Sequence, residues 1–149
     1  MKGQVMAIKK PKNTGIFSYE NLNPYKRKAG DCVIRAVAKS VYEGKTGAFG
    51  DAWKYALDGL CNVAMETGYM INTPDCYGRL LERKGFKKHK QPRHENGTKY
   101  TLKEFIAEHK TGTYVVNMPH HLTTVKNGKC YDTWNWTQSD RRVGNYWEK

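Results

Sequence analysis

Residues 121–134 read HLTTVKNGKCYDTW and carry the strongest structural signal in the chain. The pair Asn127-Gly128 is typical of a two-residue hairpin turn, because both central positions of such a turn need a positive φ. Apolar and β-branched residues flank the pair, which predicts antiparallel strands over 121–126 and 129–134. A further strand is predicted over Thr113–Met118, so an antiparallel sheet should occupy the C-terminal third.

A two-residue turn also sets the register of this hairpin. Residues that face each other across the strands point to the same side of the sheet. His121 and Asp132 then become diagonal neighbours, about 7–8 Å apart at the backbone, which lets a carboxylate reach an imidazole. His120 and Asn135 would point to the other side, unless a bulge reverses the choice. The predicted pairs are Lys126 with Lys129, Thr123 with Asp132 and His121 with Trp134.

Four predicted helices precede the hairpin. Each begins with a residue suited to cap a helix, and apolar residues follow at helical spacing. The order of helices first and an antiparallel sheet second predicts an α+β fold. The helices begin at Asp31, close to Asp51, at Thr73-Pro74 and at a capping box over 101–104, and the first three end near Gly44, Gly68 and Gly85.

The composition is that of one globular domain. The chain has 149 residues, with ten Tyr, four Trp and four Phe to fill a core. No run approaches the roughly 18 apolar residues of a membrane span, and the N-terminus shows no secretory signal. The four cysteines form no C-x-x-C pair, so we expect free thiols in a reducing compartment such as the cytoplasm.

The net charge of +12 is concentrated in two segments. Residues 1–28 carry seven Lys or Arg and one acid, residues 79–103 carry nine and two, and the remainder is close to neutral. Residues 1–22 are predicted to form a basic arm that is flexible or adds one edge strand. An acidic protein, nucleic acid or lipid headgroup would be attracted to these two segments, and the alternative is a solvated surface, in the form of a loop in the second segment. Its basic cluster, named here the 87–93 patch, consists of Lys87, Lys88, Lys90 and Arg93.

Cys32 is the cysteine best placed for chemistry. It stands at the start of the first helix, where unpaired backbone N–H groups and the helix dipole stabilise a thiolate. A cysteine nucleophile also needs a base and a group that orients the base, and His121 with Asp132 meets both needs. The alternatives are an ordinary buried cysteine beside a His–Asp pair on a solvated sheet face, and Cys76 as the rival thiol in its own first helical turn.

Three segments in this order carry a resemblance: GDCVIRA (30–36), HLTTV (121–125) and KCYDTW (129–134). Together they resemble the papain-like cysteine peptidase superfamily, and more narrowly small papain-like proteins of bacteriophages and their Gram-positive hosts. The likeness covers residues 23–135 and implies a single papain-like domain over 23–149. It implies Cys32 as the nucleophile, His121 as general base and acid, and Asp132 as the group that orients His121.

One position departs from the pattern of that superfamily. Its members usually have a glutamine six residues before the cysteine, near the oxyanion, and this chain has Lys26 there. The backbone N–H of Cys32 can supply one oxyanion donor, and Asn23 or Asn21 is the candidate for the second. Trp134, on the predicted catalytic face, is the candidate wall of a substrate groove. Loss of one donor costs about 10²–10³-fold in rate, so weak or non-proteolytic acyl transfer is the alternative to efficient proteolysis.

Two classes of function follow from these residues and from the resemblance. The first is a cysteine hydrolase that cleaves a peptide, isopeptide or related amide bond in a protein or peptide substrate. The second is a catalytically weak or inactive papain-like scaffold that binds an acidic partner or nucleic acid, in a virion or against a host factor. Neither class implies a metal ion or a cofactor, since the Cys and His spacings match no common zinc pattern. The resemblance implies the cytoplasm of a bacterial or phage-infected cell, or a virion.

Overall fold

A computed structural model describes residues 10–42 and 51–149, and these residues form the α+β fold that was predicted. The α-helices are α1 (Cys32–Val37), α2 (Ala52–Thr67), α3 (Pro74–Arg83) and α4 (Leu102–Glu108). The strands are β1 (Phe17–Tyr19), β2 (Lys87–His89), β3 (Thr113–Met118), β4 (His121–Lys126), β5 (Lys129–Asp132) and β6 (Tyr146–Glu148). No helix in the two described ranges has the length and apolar character needed to cross a membrane.

The hairpin of β4 and β5 forms around the predicted turn. Asn127 and Gly128 have φ values of 49° and 79°, as a two-residue turn requires. Lys126 faces Lys129, so the predicted register is confirmed next to the turn. Strand β3 pairs with β4 on its other side, and the three strands form an antiparallel meander.

Helices α2 and α4 begin as their first residues predict. The Asp51 side chain caps α2 by accepting from the backbone N–H of Lys54, and Gly68 ends the helix in the left-handed region. The capping box of α4 is complete, because Thr101 and Glu104 each accept a hydrogen bond from the backbone N–H of the other. Local chemistry is sufficient to define these two helices.

Helix α1 differs from its prediction in two ways. The Asp31 side chain makes no capping hydrogen bond, because its oxygens accept from the side chains of Asn23, Arg35 and Trp53 instead. Regular α-helical geometry ends at Val37, and a π-helical segment follows over Ala38–Tyr42. The predicted end near Gly44 lies outside the described residues.

The six strands form one sheet in the order β1-β5-β4-β3-β6-β2. All neighbours run antiparallel except β1 and β5, in which Phe17 faces Cys130 in parallel. The C-terminal strands are therefore antiparallel as predicted, and the parallel pairing is confined to the N-terminal strand β1. The chain leaves β1, passes through the helices and returns as β5, a crossover long enough to permit parallel pairing.

Both edges of the sheet come from basic segments. Strand β1 belongs to the predicted N-terminal arm, of which residues 1–9 lie outside the described ranges, and Phe17 is fully buried in the core. Strand β2 forms the opposite edge by pairing with β6, although a loop was the alternative for this segment. Backbone hydrogen bonds alone can hold an edge strand, so Lys87 and Lys88 stay exposed and show no alternating apolar pattern.

An apolar layer covers each face of the sheet. Successive residues of β3 separate into the two layers, with Val115 in one and Val116 in the other, as strand alternation requires. The layer of Val115 joins α1, α2 and α3 to the sheet, whereas the layer of Val116 contains residues of α4. Helix α1, which begins with Cys32, is thus packed on one face among the larger group of helices.

We predict that Gly128→Ala will destabilise the protein by about 1–2 kcal/mol, because an L-residue is strained at φ 79°. The new Cβ would also lie 3.3 Å from the Lys110 carbonyl oxygen. Gly15→Ala is the matched control, since that site has open space within 4 Å and no positive φ. Urea unfolding measures both variants, and equal stability of the two would show that the turn does not set the hairpin.

Candidate active site

Helix α1 is held over strand β4 by a buried polar contact as well as by apolar packing. The Thr124 Oγ1 donates a 2.9 Å hydrogen bond to the carbonyl oxygen of Ala36. Val33 of α1 and Leu122 of β4 pack in the same apolar cluster. This packing brings Cys32 to the open end of the hairpin, where β4 begins and β5 ends.

His121 and Asp132 meet at this open end. The Nε2 atom of His121 lies 2.6 Å from Oδ2 of Asp132, so the diagonal contact predicted from the register is present. The pairing between the two strands extends from the turn only to Thr124 and Tyr131. The predicted pairing of His121 with Trp134 is wrong, because β5 ends at Asp132.

The imidazole of His121 lies close enough to the thiol of Cys32 for each group to shift the pKa of the other. Because Nε2 of this ring faces Asp132, Nδ1 is the nitrogen left for the thiol. Burial alone would lower the pKa of His121, but hydrogen bonds to Asp132 and Cys32 and the negative charges of both raise it to about 9. The imidazole is therefore protonated at neutral pH, with one N–H for each partner.

The pKa of Cys32 is shifted in the opposite direction. Burial would raise it, but the hydrogen bonds from His121 and from the backbone N–H of Leu122 lower it, as do the positive charges of His121 and Arg35. The two shifts together favour a thiolate–imidazolium ion pair. Such a pair is the reactive state of a cysteine nucleophile.

Asp132 is a buried carboxylate with both oxygens engaged. Its Oδ2 accepts from His121 and, at 2.7 Å, from Thr123 Oγ1. Its Oδ1 accepts from Arg35 Nη1 at 2.9 Å and from the backbone N–H of Thr133 at 2.6 Å. Burial would raise the pKa of Asp132, but the hydrogen bond and charge of His121 and the charge of Arg35 lower it. The carboxylate stays ionised and fixes the orientation of the imidazole.

Arg35 connects this carboxylate to a second one. Its Nη1 lies 2.9 Å from Asp132 Oδ1, and its Nε lies 2.9 Å from Asp31 Oδ1. The remaining Asp31 oxygen accepts from Asn23 Nδ2 and Trp53 Nε1. Sequence reasoning missed the role of Arg35, although the i, i+4 spacing of Asp31 and Arg35 was an available signal.

An aromatic ring covers the imidazole of His121. The ring centroid of Trp136 lies 4.3 Å from that of His121, and the guanidinium of Arg141 lies 5.0 Å from the Trp136 ring. Only 10% of the His121 side chain is exposed. His120, by contrast, is exposed in the turn before β4 with a φ of 56°. The structure therefore brings His121, and not His120, to the cysteine.

The two asparagines expected near the oxyanion occupy different environments. Asn23 is buried, its Nδ2 donates to Asp31 at 3.1 Å, and its Oδ1 accepts from the Tyr25 N–H. Its amide is thus used within the fold and closed to a substrate, which disagrees with the expected role. Asn21 is half-buried and lines a cavity of about 380 Å³ beside Asp31. Lys26 lines the same cavity and donates from Nζ to the Asn21 carbonyl.

The rival cysteine does not share the environment of Cys32. Cys76 is fully buried, and burial together with the nearby Cys61 raises its pKa. Its thiol donates to the carbonyl oxygen of Leu60, 3.6 Å away. Burial also raises the pKa of Cys130 in β5. Neither Cys76 nor Cys130 is suited to act as a nucleophile.

Two further predicted features lie outside the Cys32–His121–Asp132 contact. Trp134 is 54% exposed beyond β5 and lines both the cavity beside Asp31 and a neighbouring one of about 780 Å³. The 87–93 patch lies on and just after β2, at the sheet edge opposite β1. With six strands in the sheet, the two edges are about 24 Å apart.

We predict that iodoacetamide will alkylate Cys32 faster than the other three cysteines in folded protein at pH 6.5. An ordinary thiol, with a pKa of about 8.5, is only about 1% ionised at this pH. His121→Ala should therefore slow the alkylation of Cys32 at least about tenfold. Peptide mass spectrometry gives the rate for each cysteine. His120→Ala is the matched control, and an equal effect of the two variants would contradict the assignment.

We predict that Arg35→Met will lower the free energy of unfolding by about 3–5 kcal/mol, because it removes the guanidinium that pairs with two buried carboxylates, Asp31 and Asp132. Arg83→Met is the control, since it removes an ion pair to Glu66 whose partners are about half exposed. That variant should cost less than about 1 kcal/mol. Urea unfolding of both variants measures the difference, and similar values would contradict a structural role for the buried pair.

Comparisons with protein-family models, with curated proteins and with solved structures found no match. The contacts that bear on function are therefore those among Cys32, His121, Asp132 and Arg35, which come from three separate parts of the chain.

Proposed function

We propose that this protein is a papain-like cysteine hydrolase that cleaves a peptide, isopeptide or related amide bond in a protein or peptide. The observation that carries the proposal is the position of His121, which hydrogen-bonds to the buried Asp132 and interacts electrostatically with Cys32. The pKa of the thiol is lowered and that of the imidazole is raised to about 9. This combination favours the charged nucleophile together with a protonated general acid.

The acylation step follows from these protonation states. The Cys32 thiolate attacks the carbonyl carbon of the amide, and a tetrahedral intermediate forms. The C–N bond then breaks, and the imidazolium of His121 gives its proton to the departing amine. Asp132 remains ionised throughout and holds the ring through Nε2. The product of this step is a thioester on Cys32 and a free amine.

Deacylation uses the same groups, but His121 now accepts a proton instead of donating one. Neutral His121 takes a proton from a water molecule, which attacks the thioester carbonyl. The C–S bond breaks, the carboxylic acid leaves, and the thiolate–imidazolium pair is restored. Trp136, whose ring lies 4.3 Å from that of His121 at a tilt of 30°, helps to shield the imidazole from bulk water during both steps.

The oxyanion requires donors at the start of α1. The backbone N–H of Cys32 is the first of them, because the first residues of a helix have no intrahelical acceptor. Asn21 is the proposed second donor, since Asn23 is committed to Asp31 and Lys26 to the Asn21 carbonyl. This choice is supported by the cavity beside α1, because Asn21 and Asp31, the residue before Cys32, both line it.

A basic binding module is the second candidate function. It is favoured by exposed cations at both edges of the sheet, including the 87–93 patch. A module of this kind would hold an acidic protein or nucleic acid and would not need the Cys32 thiol. The Cys32→Ala variant therefore separates the two functions.

The direct test is to incubate the protein with a peptide mixture from a digested bacterial lysate and to detect new termini by mass spectrometry. The wild-type chain should produce cleavage products that Cys32→Ala does not. Asp132→Asn should lower kcat/KM by about 10²–10⁴-fold, because it keeps the shape but favours the wrong imidazole tautomer. On the best peptide, kcat/KM should fall as the pH rises through about 9, where His121 loses the proton needed by the amine.

Two results would contradict the hydrolase. One is an identical product pattern from wild type and Cys32→Ala, which would assign the cleavage to a contaminant. The other is the absence of products together with slow alkylation of Cys32. The second result would favour the basic binding module.

A further inference from the structure

A groove lies beside the candidate active site. The cavity of about 380 Å³ next to Asp31 and the neighbouring one of about 780 Å³ share Lys10, Pro11 and Trp134 along their boundary. The smaller cavity is also lined by Arg35 and Thr133, both of which contact Asp132. The two adjacent cavities are together named here the N-terminal groove, which is bordered by Asp31, the residue directly before Cys32 in the chain.

The lining of the N-terminal groove is strongly cationic. Its carboxylate, Asp31, is buried and already paired with Arg35. Four exposed cations of the groove donate no hydrogen bond to a backbone carbonyl of the described residues. Within residues 10–42 and 51–149, no carboxylate forms an ion pair with any of the four. Those cations are Lys10, Lys12, Arg27 and Lys28. Their charge is available to a ligand from outside the described fold.

The groove also offers one open aromatic surface. Trp134 is 54% exposed at the junction of the two cavities. Tyr19 lines the smaller cavity, but Lys10 Nζ lies over its ring at 5.1 Å from the centroid. A single exposed indole among cations suits an apolar side chain flanked by acidic residues. Single-stranded nucleic acid, by comparison, is usually bound by a series of aromatic rings that stack successive bases.

We propose that the N-terminal groove binds an acidic segment of the substrate polypeptide and thereby presents the neighbouring amide bond to Cys32. This proposal rests on the proposed hydrolase function and adds the class of substrate. Arg27 and Lys28 attract the carboxylates, and Trp134 holds an apolar side chain between them. The same positions attract the substrate over long range, so the association rate falls as salt is added.

The 87–93 patch provides a matched control for this groove. It has a similar density of exposed Lys and Arg but lies at the opposite sheet edge, about 24 Å from β1. Exposed Lys87 and Lys90 can be reversed in charge without contact with the groove. Any general effect of net charge on binding would appear equally at both surfaces.

The test measures binding to the full chain carrying Cys32→Ala, so that cleavage does not affect the result. The probe is a fluorescein-labelled peptide of alternating glutamate and leucine, followed by anisotropy at 50 and 300 mM salt. We expect Arg27→Glu with Lys28→Glu to weaken binding at least about tenfold, and Lys87→Glu with Lys90→Glu to change it less than about twofold. Trp134→Ala should weaken binding at both salt concentrations, since its contact is apolar.

Several outcomes would overturn the acidic-segment site. Equal weakening by the two double charge reversals would show a non-specific effect of net charge. Tighter binding of a labelled oligothymidylate than of the peptide would assign the groove to nucleic acid. Arg27→Gln with Lys28→Gln, which removes charge without reversing it, should weaken binding by a smaller factor while leaving the alkylation of Cys32 unchanged. Loss of alkylation in that variant would mean that the residues support the fold, and would overturn the proposal.

Failure of the groove and failure of the hydrolase give different results. Peptide binding that shows the expected pattern, with no cleavage by the wild-type chain, would overturn the hydrolase and leave the acidic-segment site standing. Cleavage of acidic and basic peptides with equal kcat/KM would overturn the groove and leave the hydrolase standing. In the expected case, Arg27→Glu with Lys28→Glu raises KM for the acidic peptide and leaves kcat nearly unchanged.

Discussion

A buried carboxylate, Asp132, unites the parts of this structure. Ionised groups are expensive to bury, so its charge must be met by donors in fixed positions. Those donors come from β4, from α1 and from the backbone just after β5. Because Asp132 is only 3% exposed, bulk water solvates it little, and loss of a donor would leave its charge poorly compensated. The helix start and the open end of the hairpin are therefore held in one arrangement.

The charged groups around Asp132 form a row in space in which negative and positive charges alternate. The Cys32 thiolate is followed by the His121 imidazolium, the Asp132 carboxylate, the Arg35 guanidinium and the Asp31 carboxylate. Each charge has an opposite charge as its neighbour, which is how several ions can lie in a region of low dielectric. The thiolate stands at one end, on a side chain that is only partly buried. Arg35 therefore acts on the cysteine electrostatically, through its own positive charge and through Asp132.

Much of this arrangement could be predicted because it depends on local rules. The Asn127-Gly128 turn and strand alternation led to the contact of His121 with Asp132, and the helix start led to Cys32. The roles of Asp31 and Arg35 could not be predicted in this way. Asp31 at the helix start is equally compatible with a helix cap and with a surface i, i+4 ion pair to Arg35, and only the approach of Asp132 distinguishes the two. The same holds for the parallel pairing of β1 and for the edge strand β2, which depend on distant backbone partners.

The long separation between contacting residues has a consequence for synthesis of the chain. Arg35 and Asp132 are 97 residues apart in the sequence, and Thr124 and Ala36 are 88 apart. Contacts of this range form late, because a long loop must close before they contribute any stability. During translation, Cys32 is made long before the residues that ionise it. The growing chain therefore carries an ordinary thiol, and a reactive one arises only after both strands of the hairpin have been made.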